Sequence, residues 1–217
     1  MTRRAKGTIQ GIVQGVGFRP FIYQLAVRYH LAGYVINNSK GVELEVEGSD
    51  ESIRRFIEAV LPQKPPLAHI ASMEWSDIPP REDETFEILL SRSDEERTAL
   101  ISPDVAVCED CLREARDPSD RRYHYPFINC TNCGPRYTII QDIPYDREYT
   151  TMKAFAMCPQ CRDEYEDPDD RRFHAQPNAC WNCGPKVSLH DPKGGRLVSE
   201  DPLLETVSLL KDGHILA

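Results

Sequence analysis

The chain has 217 residues, 40% apolar and 28% charged, with a net charge of −9, which leaves room for one or two domains with a hydrophobic core. It has no apolar run of the length a membrane span needs, and its basic N-terminus enters an alternating, glycine-interrupted stretch with no signal-peptide core. Residues 92–190 hold 13 basic against 18 acidic residues, so the middle of the chain offers no footprint for a nucleic-acid backbone.

Residues 8–13 alternate as a strand, and a glycine-rich turn over 14–19 leads into a helix in which Phe21, Leu25 and Tyr29 recur one turn apart. Pro20 suits the first turn of that helix, and Gly33 stands where it should stop. The segments YVINN and VELEVEG predict two strands joined by Ser39, Lys40 and Gly41, a hairpin. Ser49 or Asp50 can cap a second helix carrying Ile53, Phe56, Ile57 and Val60 and ended by Pro62. Further strands are expected near 68–75 and 85–90. The order β, α, β, β, α, β is the ferredoxin-like layout, an antiparallel sheet with two helices on one face, in an α+β chain. This domain is expected to span 1–91, followed by a polar connector over 92–107.

All eight cysteines follow the connector and are written twice with an offset of 50 residues: Cys108, Cys111, Cys130, Cys133, then Cys158, Cys161, Cys180, Cys183. Each copy is CxxC, an 18-residue gap and CxxC, and the likeness extends beyond the thiols, since DRRYH recurs as DRRFH and CTNCGPR as CWNCGPK. Two close pairs of thiolates can wrap one Zn²⁺ tetrahedrally, so two structural zinc ions in a reducing, cytoplasmic setting are expected over a disulfide framework. The modules would occupy 108–134 and 158–184 with a linker over 135–157. They are poor in apolar residues, so metal must supply much of their folding free energy. Sequential closure, four cysteines then four, suits a self-contained repeat, and the interleaved scheme is the alternative. With four thiolates per ion, His124 and His174 are assigned packing or hydrogen-bonding roles. Arg121, Arg122, Arg171 and Arg172 are expected to be solvated or paired with the neighbouring aspartates.

From 185 to 217 the chain reads as a linker, a short strand at Val187 to His190, a Gly194–Gly195 turn and a Pro-started helix with Leu203, Val207 and Leu210 on one face. The final HILA reads as an incipient strand, and the segment as the cut start of a further domain, with a tail that docks back on what precedes it as the alternative.

The segment Gln14, Gly15, Val16, Gly17, Phe18, Arg19 stands between a strand and a helix start, where unpaired backbone N–H groups form an anion cradle. Arg19 can clamp a phosphoryl group with its planar fork of donors. Asn37, on a strand beside the first, can face the same cradle and orient a water for attack, although it cannot act as a base. The bland alternative is a tight turn with a solvated arginine.

The run GIVQGVGFR, followed by GYVINNSKGVELEVEG and FEILLS, resembles the acylphosphatase family. That resemblance implies hydrolysis of carboxyl phosphates by Arg19 and Asn37, with Asn38 the second candidate for the amide. An acylphosphatase domain followed by two such cysteine repeats is similar to the N-terminal part of the HypF family of [NiFe]-hydrogenase maturation carbamoyltransferases. The resemblance covers essentially the whole chain and implies cleavage of carbamoyl phosphate here. It also implies that LLETVSLLKDGHILA, within 185–217, opens a YrdC-like domain, that adenylation with ATP takes place beyond residue 217, and that the carbamoyl group goes to the C-terminal cysteine of a HypE-type partner for cyanide-ligand synthesis. The other reading is an acylphosphatase with a zinc-dependent, chaperone-like docking module and no hydrogenase role.

Overall fold

The computed structural model describes residues 2–92 and 99–216, so 93–98 of the expected connector lie outside the described residues. Two compact units emerge, residues 1–184 and 185–217, and the first holds both the sheet and the cysteine repeats.

The sheet is built on β1 (Thr2–Gln14), whose Ala5, Ile9 and Val13 alternate inward as a half-buried strand demands. Helix α1 (Phe18–Arg28), β2 (Ala32–Asn38), β3 (Gly41–Ser49), α2 (Asp50–Gln63), β4 (His69–Ile78) and β5 (Phe86–Ile88) follow. The order across the sheet is β4-β1-β3-β2-β5. Ile22 and Leu25 of α1 and Ile53, Phe56 and Val60 of α2 close the core on one face, each at or below 1% exposure. Burying such a side chain is worth about 1.5–3 kcal/mol.

Four expectations are corrected in this region. The sheet is mixed, because β4 and β5 run in opposite senses on opposite edges and β5 therefore arrives parallel to β2. A short β6 (Leu100–Ile101) from the expected connector also lies parallel to β1. Gly33 does not end α1: His30 does, at φ 53°, with His30 N–H donating to the Val27 carbonyl and Leu31 N–H to that of Ala26. Gly33 lies inside β2, where a Cβ would meet the Glu45 carbonyl oxygen at 2.1 Å. Pro62 sits within the last turn of α2, where its missing N–H costs a single helical bond. The N-cap of α2 is Ser49, whose hydroxyl accepts from Ser52 N–H at 3.0 Å.

The outer face of the sheet hides a buried ion cluster. Arg4, fully buried, bonds Glu45 at 2.8 Å and Glu47 at 2.6 Å, and Glu47 also accepts from the backbone N–H groups of Arg81 and Glu82.

In the repeats, α3 (Glu109–Arg116) and α4 (Pro159–Glu166) each start just after the first cysteine of a CxxC pair, which places the second on the buried first turn. The duplicated sequence is duplicated in detail. Asp117 and Asp167 accept from the N–H two residues on, as do Asp120 and Asp170, and His124 and His174 take left-handed φ of 55° and 53°.

In the second unit, His190 and Arg196 form an antiparallel bridge, and α5 (Pro202–Lys211) is capped by Asp201. Residues 214–216 form no strand, since a strand needs a partner ladder and none is made there. No helix among the described residues is long and apolar enough to cross a membrane.

Candidate functional site

The turn between β1 and α1 brings the cradle into place. Gly15 and Gly17 adopt φ of 72° and 74°, a conformation other residues resist, and Gly17 is the N-cap of α1. Val16 and Phe18 are buried at 2% and 1% exposure, so their side chains anchor the loop in the core and leave backbone toward the site. Gln14 is equally buried, and its amide donates to the carbonyls of Asn38 and Gly41. Arg19, on the first turn of α1, meets Asn37 near the end of β2. With the Asn37 amide assigned so that its oxygen faces the guanidinium, the orientation that satisfies both side chains, it accepts from Arg19 Nε at 3.1 Å and Nη2 at 3.3 Å. Asn38 is drawn elsewhere, its oxygen accepting from the N–H groups of Lys40 and Gly41 in the hairpin turn.

The cysteine repeats and the linker between them roof this loop. A Cβ on Gly15 would stand 2.8 Å from Pro135 and 3.0 Å from the ring of Tyr145, and one on Gly17 would stand 3.0 Å from Thr131. The small cavity left between Gly15, Gly17, Arg19, Asn37 and this roof is about 20 Å³, the scale of one water. Arg19 also borders a wider groove of about 500 Å³ that contains Ser91 and Asp146. There its Nη1 donates to Ser91 Oγ at 3.2 Å and its Nη2 to Asp146 Oδ1 at 2.5 Å. His174 lines both spaces, and burial, reinforced by the charge of Arg19, pushes its pKa down to about 4, so the ring is neutral near pH 7.

The sulfurs form two sequential quartets, Cys108, Cys111, Cys130, Cys133 and Cys158, Cys161, Cys180, Cys183, each within 4.8 Å. A tetrahedron of ~2.3 Å Zn–S bonds has edges of about 3.8 Å. The closest sulfur pairs, from 3.6 Å (Cys108–Cys130, Cys161–Cys183) to 3.8 Å (Cys130–Cys133, Cys180–Cys183), match that edge, and all pairs of a quartet lie within 4.8 Å. Four thiolates fill the tetrahedron and leave no open position, which makes these structural sites.

The paired arginines correct the expectation that they are solvated or bound to neighbouring aspartates. Arg122 and Arg172 are 2% and 3% exposed, and each reaches into the other repeat. Arg122 bonds Glu164 at 2.6 Å and the Ala179 carbonyl at 2.9 Å, while Arg172 bonds Glu114 at 2.5 Å and the Asn129 carbonyl at 3.1 Å. Arg121 approaches Cys161 Sγ at 3.4 Å and Arg171 approaches Cys111 Sγ at 2.9 Å. A tetrathiolate zinc site carries a net charge of about −2, so each repeat's arginines offset charge at the other's metal. Burial alone would raise the pKa of Glu164, but the hydrogen bonds from Arg122 and Arg121 hold it at about 2.

Sequence reasoning missed Ser91, Asp146 and Tyr145, the last two in the linker expected over 135–157. No local signal marks them: Asp146 is 127 positions from Arg19.

Comparison with known proteins agrees with this architecture. The Acylphosphatase family model matches residues 5–88, and the HypF finger model matches 107–140 and 157–190. A probable carbamoyltransferase HypF from Methanocaldococcus jannaschii is 53% identical over 96% of this chain and 28% of its own length. HypF2 from Cupriavidus necator is 49% identical over all of this chain and 27% of its own. A full-length HypF solved in a phosphate- and nucleotide-bound form is 47% identical and superposes with a TM-score of 0.89 over 98% of this chain and 28% of that one. The chain thus spans little more than a quarter of the length of these relatives. With the acylphosphatase sheet, both finger repeats and this likeness along its whole length, the chain belongs to the HypF family of carbamoyltransferases.

Proposed function

We propose that this chain carries the carbamoyl phosphate-cleaving step of a carbamoyltransferase for [NiFe]-hydrogenase maturation. The observation that carries the reading is the meeting of Arg19 and Asn37 at the Gly15–Gly17 turn, under a roof made by the cysteine repeats. Arg19 and the backbone N–H groups of the Gln14–Arg19 segment hold the phosphoryl oxygens, and Asn37 orients the attacking water. The water oxygen bonds to phosphorus, the P–O bond to the acyl group breaks, and carbamate leaves with the electron pair. The leaving group is already a stable anion and needs no proton. Asn37 cannot take the water's proton, so a phosphoryl oxygen does. The rate gain comes from positioning and charge stabilisation, with no covalent intermediate. The two zinc ions hold the repeats in shape.

In the longer relatives the carbamate would pass to an ATP-dependent adenylation site and then to the terminal cysteine of a HypE-type partner, in the cytoplasm. The test is hydrolysis of carbamoyl phosphate by the zinc-loaded chain. Arg19→Ala and Asn37→Ala are each expected to lower kcat/KM at least about 100-fold while leaving circular dichroism unchanged. Turnover that survives both changes removes the site.

A further inference from the structure

We infer that Asp146, from the linker between the cysteine repeats, is a positioning residue for Arg19 and sets its aim at the phosphoryl group; this rests on the reading of the Arg19–Asn37 site given above. Arg19 stands in the wall between two spaces. Gly15, Gly17 and Asn37 lie with it on the small cavity, while Ser91 and Asp146 lie with it on the wider groove. The carboxylate holds Nη2, the nitrogen that also reaches Asn37, while Ser91 holds Nη1, so the two groove partners together fix the plane of the guanidinium fork beside the cradle.

The contact is built. The side chains of Arg19 and Asp146 are 8% and 17% exposed, and the residues flanking Asp146 are both tied down. Tyr145 N–H donates to Gln14 Oε1 at 2.9 Å, and Arg147 N–H donates to Gln176 Oε1 at 2.8 Å. The Arg147 guanidinium is locked in turn on the carbonyls of Gln176, Asn178 and Phe155. A carboxylate delivered by so fixed a backbone holds a long, many-rotamer side chain in one geometry before substrate arrives, which is what phosphoryl positioning requires. It also ties the arginine's aim to the folded, metal-loaded repeats.

The experiment titrates the zinc-loaded chain with inorganic phosphate by calorimetry and measures steady-state hydrolysis of carbamoyl phosphate. Asp146→Asn is expected to weaken phosphate binding about tenfold and to lower kcat as well as raise KM, with zinc content and circular dichroism unchanged. Asp146→Glu, which keeps the charge, is expected to recover most of the loss. Ser91→Ala removes the uncharged groove-side partner and should weaken phosphate about threefold. Tighter phosphate binding or faster turnover in Asp146→Asn would show that the carboxylate competes with the anion, and that result overturns the inference. So does the absence of any effect in Asp146→Asn, whatever Ser91→Ala does. Arg19→Ala separates the two readings: if it leaves turnover intact the site itself is wrong, whereas its loss beside an unaffected Asp146→Asn rejects only the role of Asp146.

Discussion

The sheet domain and the cysteine repeats reach a fixed structure by opposite means. The sheet closes a continuous apolar core from Ala5 to Phe86, with two helices contributing their buried faces. The repeats gather only a small cluster around Tyr125, Ile128 and Met152, largely lined by the cysteines themselves. What they have in place of apolar area is two thiolate quartets and four arginines that cross from one repeat to the other. A burial-driven fold loses stability gradually as side chains are trimmed, whereas a fold held by metal and crossed charges fails when one element is withdrawn.

The two tryptophans report on the two regions separately, Trp75 packing on Phe56 and Trp181 on Tyr125. The largest effect is expected from zinc removal. A strong chelator should abolish the Trp181 environment, since structural zinc supplies on the order of 10 kcal/mol of folding free energy, and leave that of Trp75 in place. Fluorescence of single-tryptophan variants checks this, and a simultaneous collapse of both signals would mean that the regions form one cooperative unit. Next comes Arg122→Ala, which leaves Glu164 short of a buried partner at a cost of roughly 3–5 kcal/mol. Zinc should then be released first from Cys158, Cys161, Cys180 and Cys183, the quartet of the other repeat. Competition with a chromogenic chelator reads that order, and earlier release from the first quartet would refute the crossed support. The smallest effect belongs to the sheet. Ser49→Ala removes the cap of α2 and should cost about 1 kcal/mol in denaturant unfolding followed at Trp75, with zinc content unaltered.

Local chemistry made much of this legible. Alternation in β1, the hairpin at Ser39 to Gly41 and the cap at Ser49 are short-range features, and each CxxC pair closes on its metal within one helical turn. Arg19 and Asn37 were legible as candidates because a known family pattern runs through them. What was misjudged turned on distant partners. Gly33 looked like a helix stop, yet His30 ends α1, and the close approach of β3 requires the glycine. Arg122 and Arg172 stand beside aspartates in the sequence, but each pairs with a glutamate 42 or 58 positions away.

The sequence by itself determined the main helices and strands of the sheet domain, the two metal quartets and the glycine cradle, because strand alternation, helix capping and ligand spacing act over a few residues. Only the tertiary structure decided that the repeats clasp each other through their arginines, that they roof the cradle, and that Asp146 backs Arg19. Those contacts join residues far apart in the chain, and a charge shows its partner only once folding has removed the water between them.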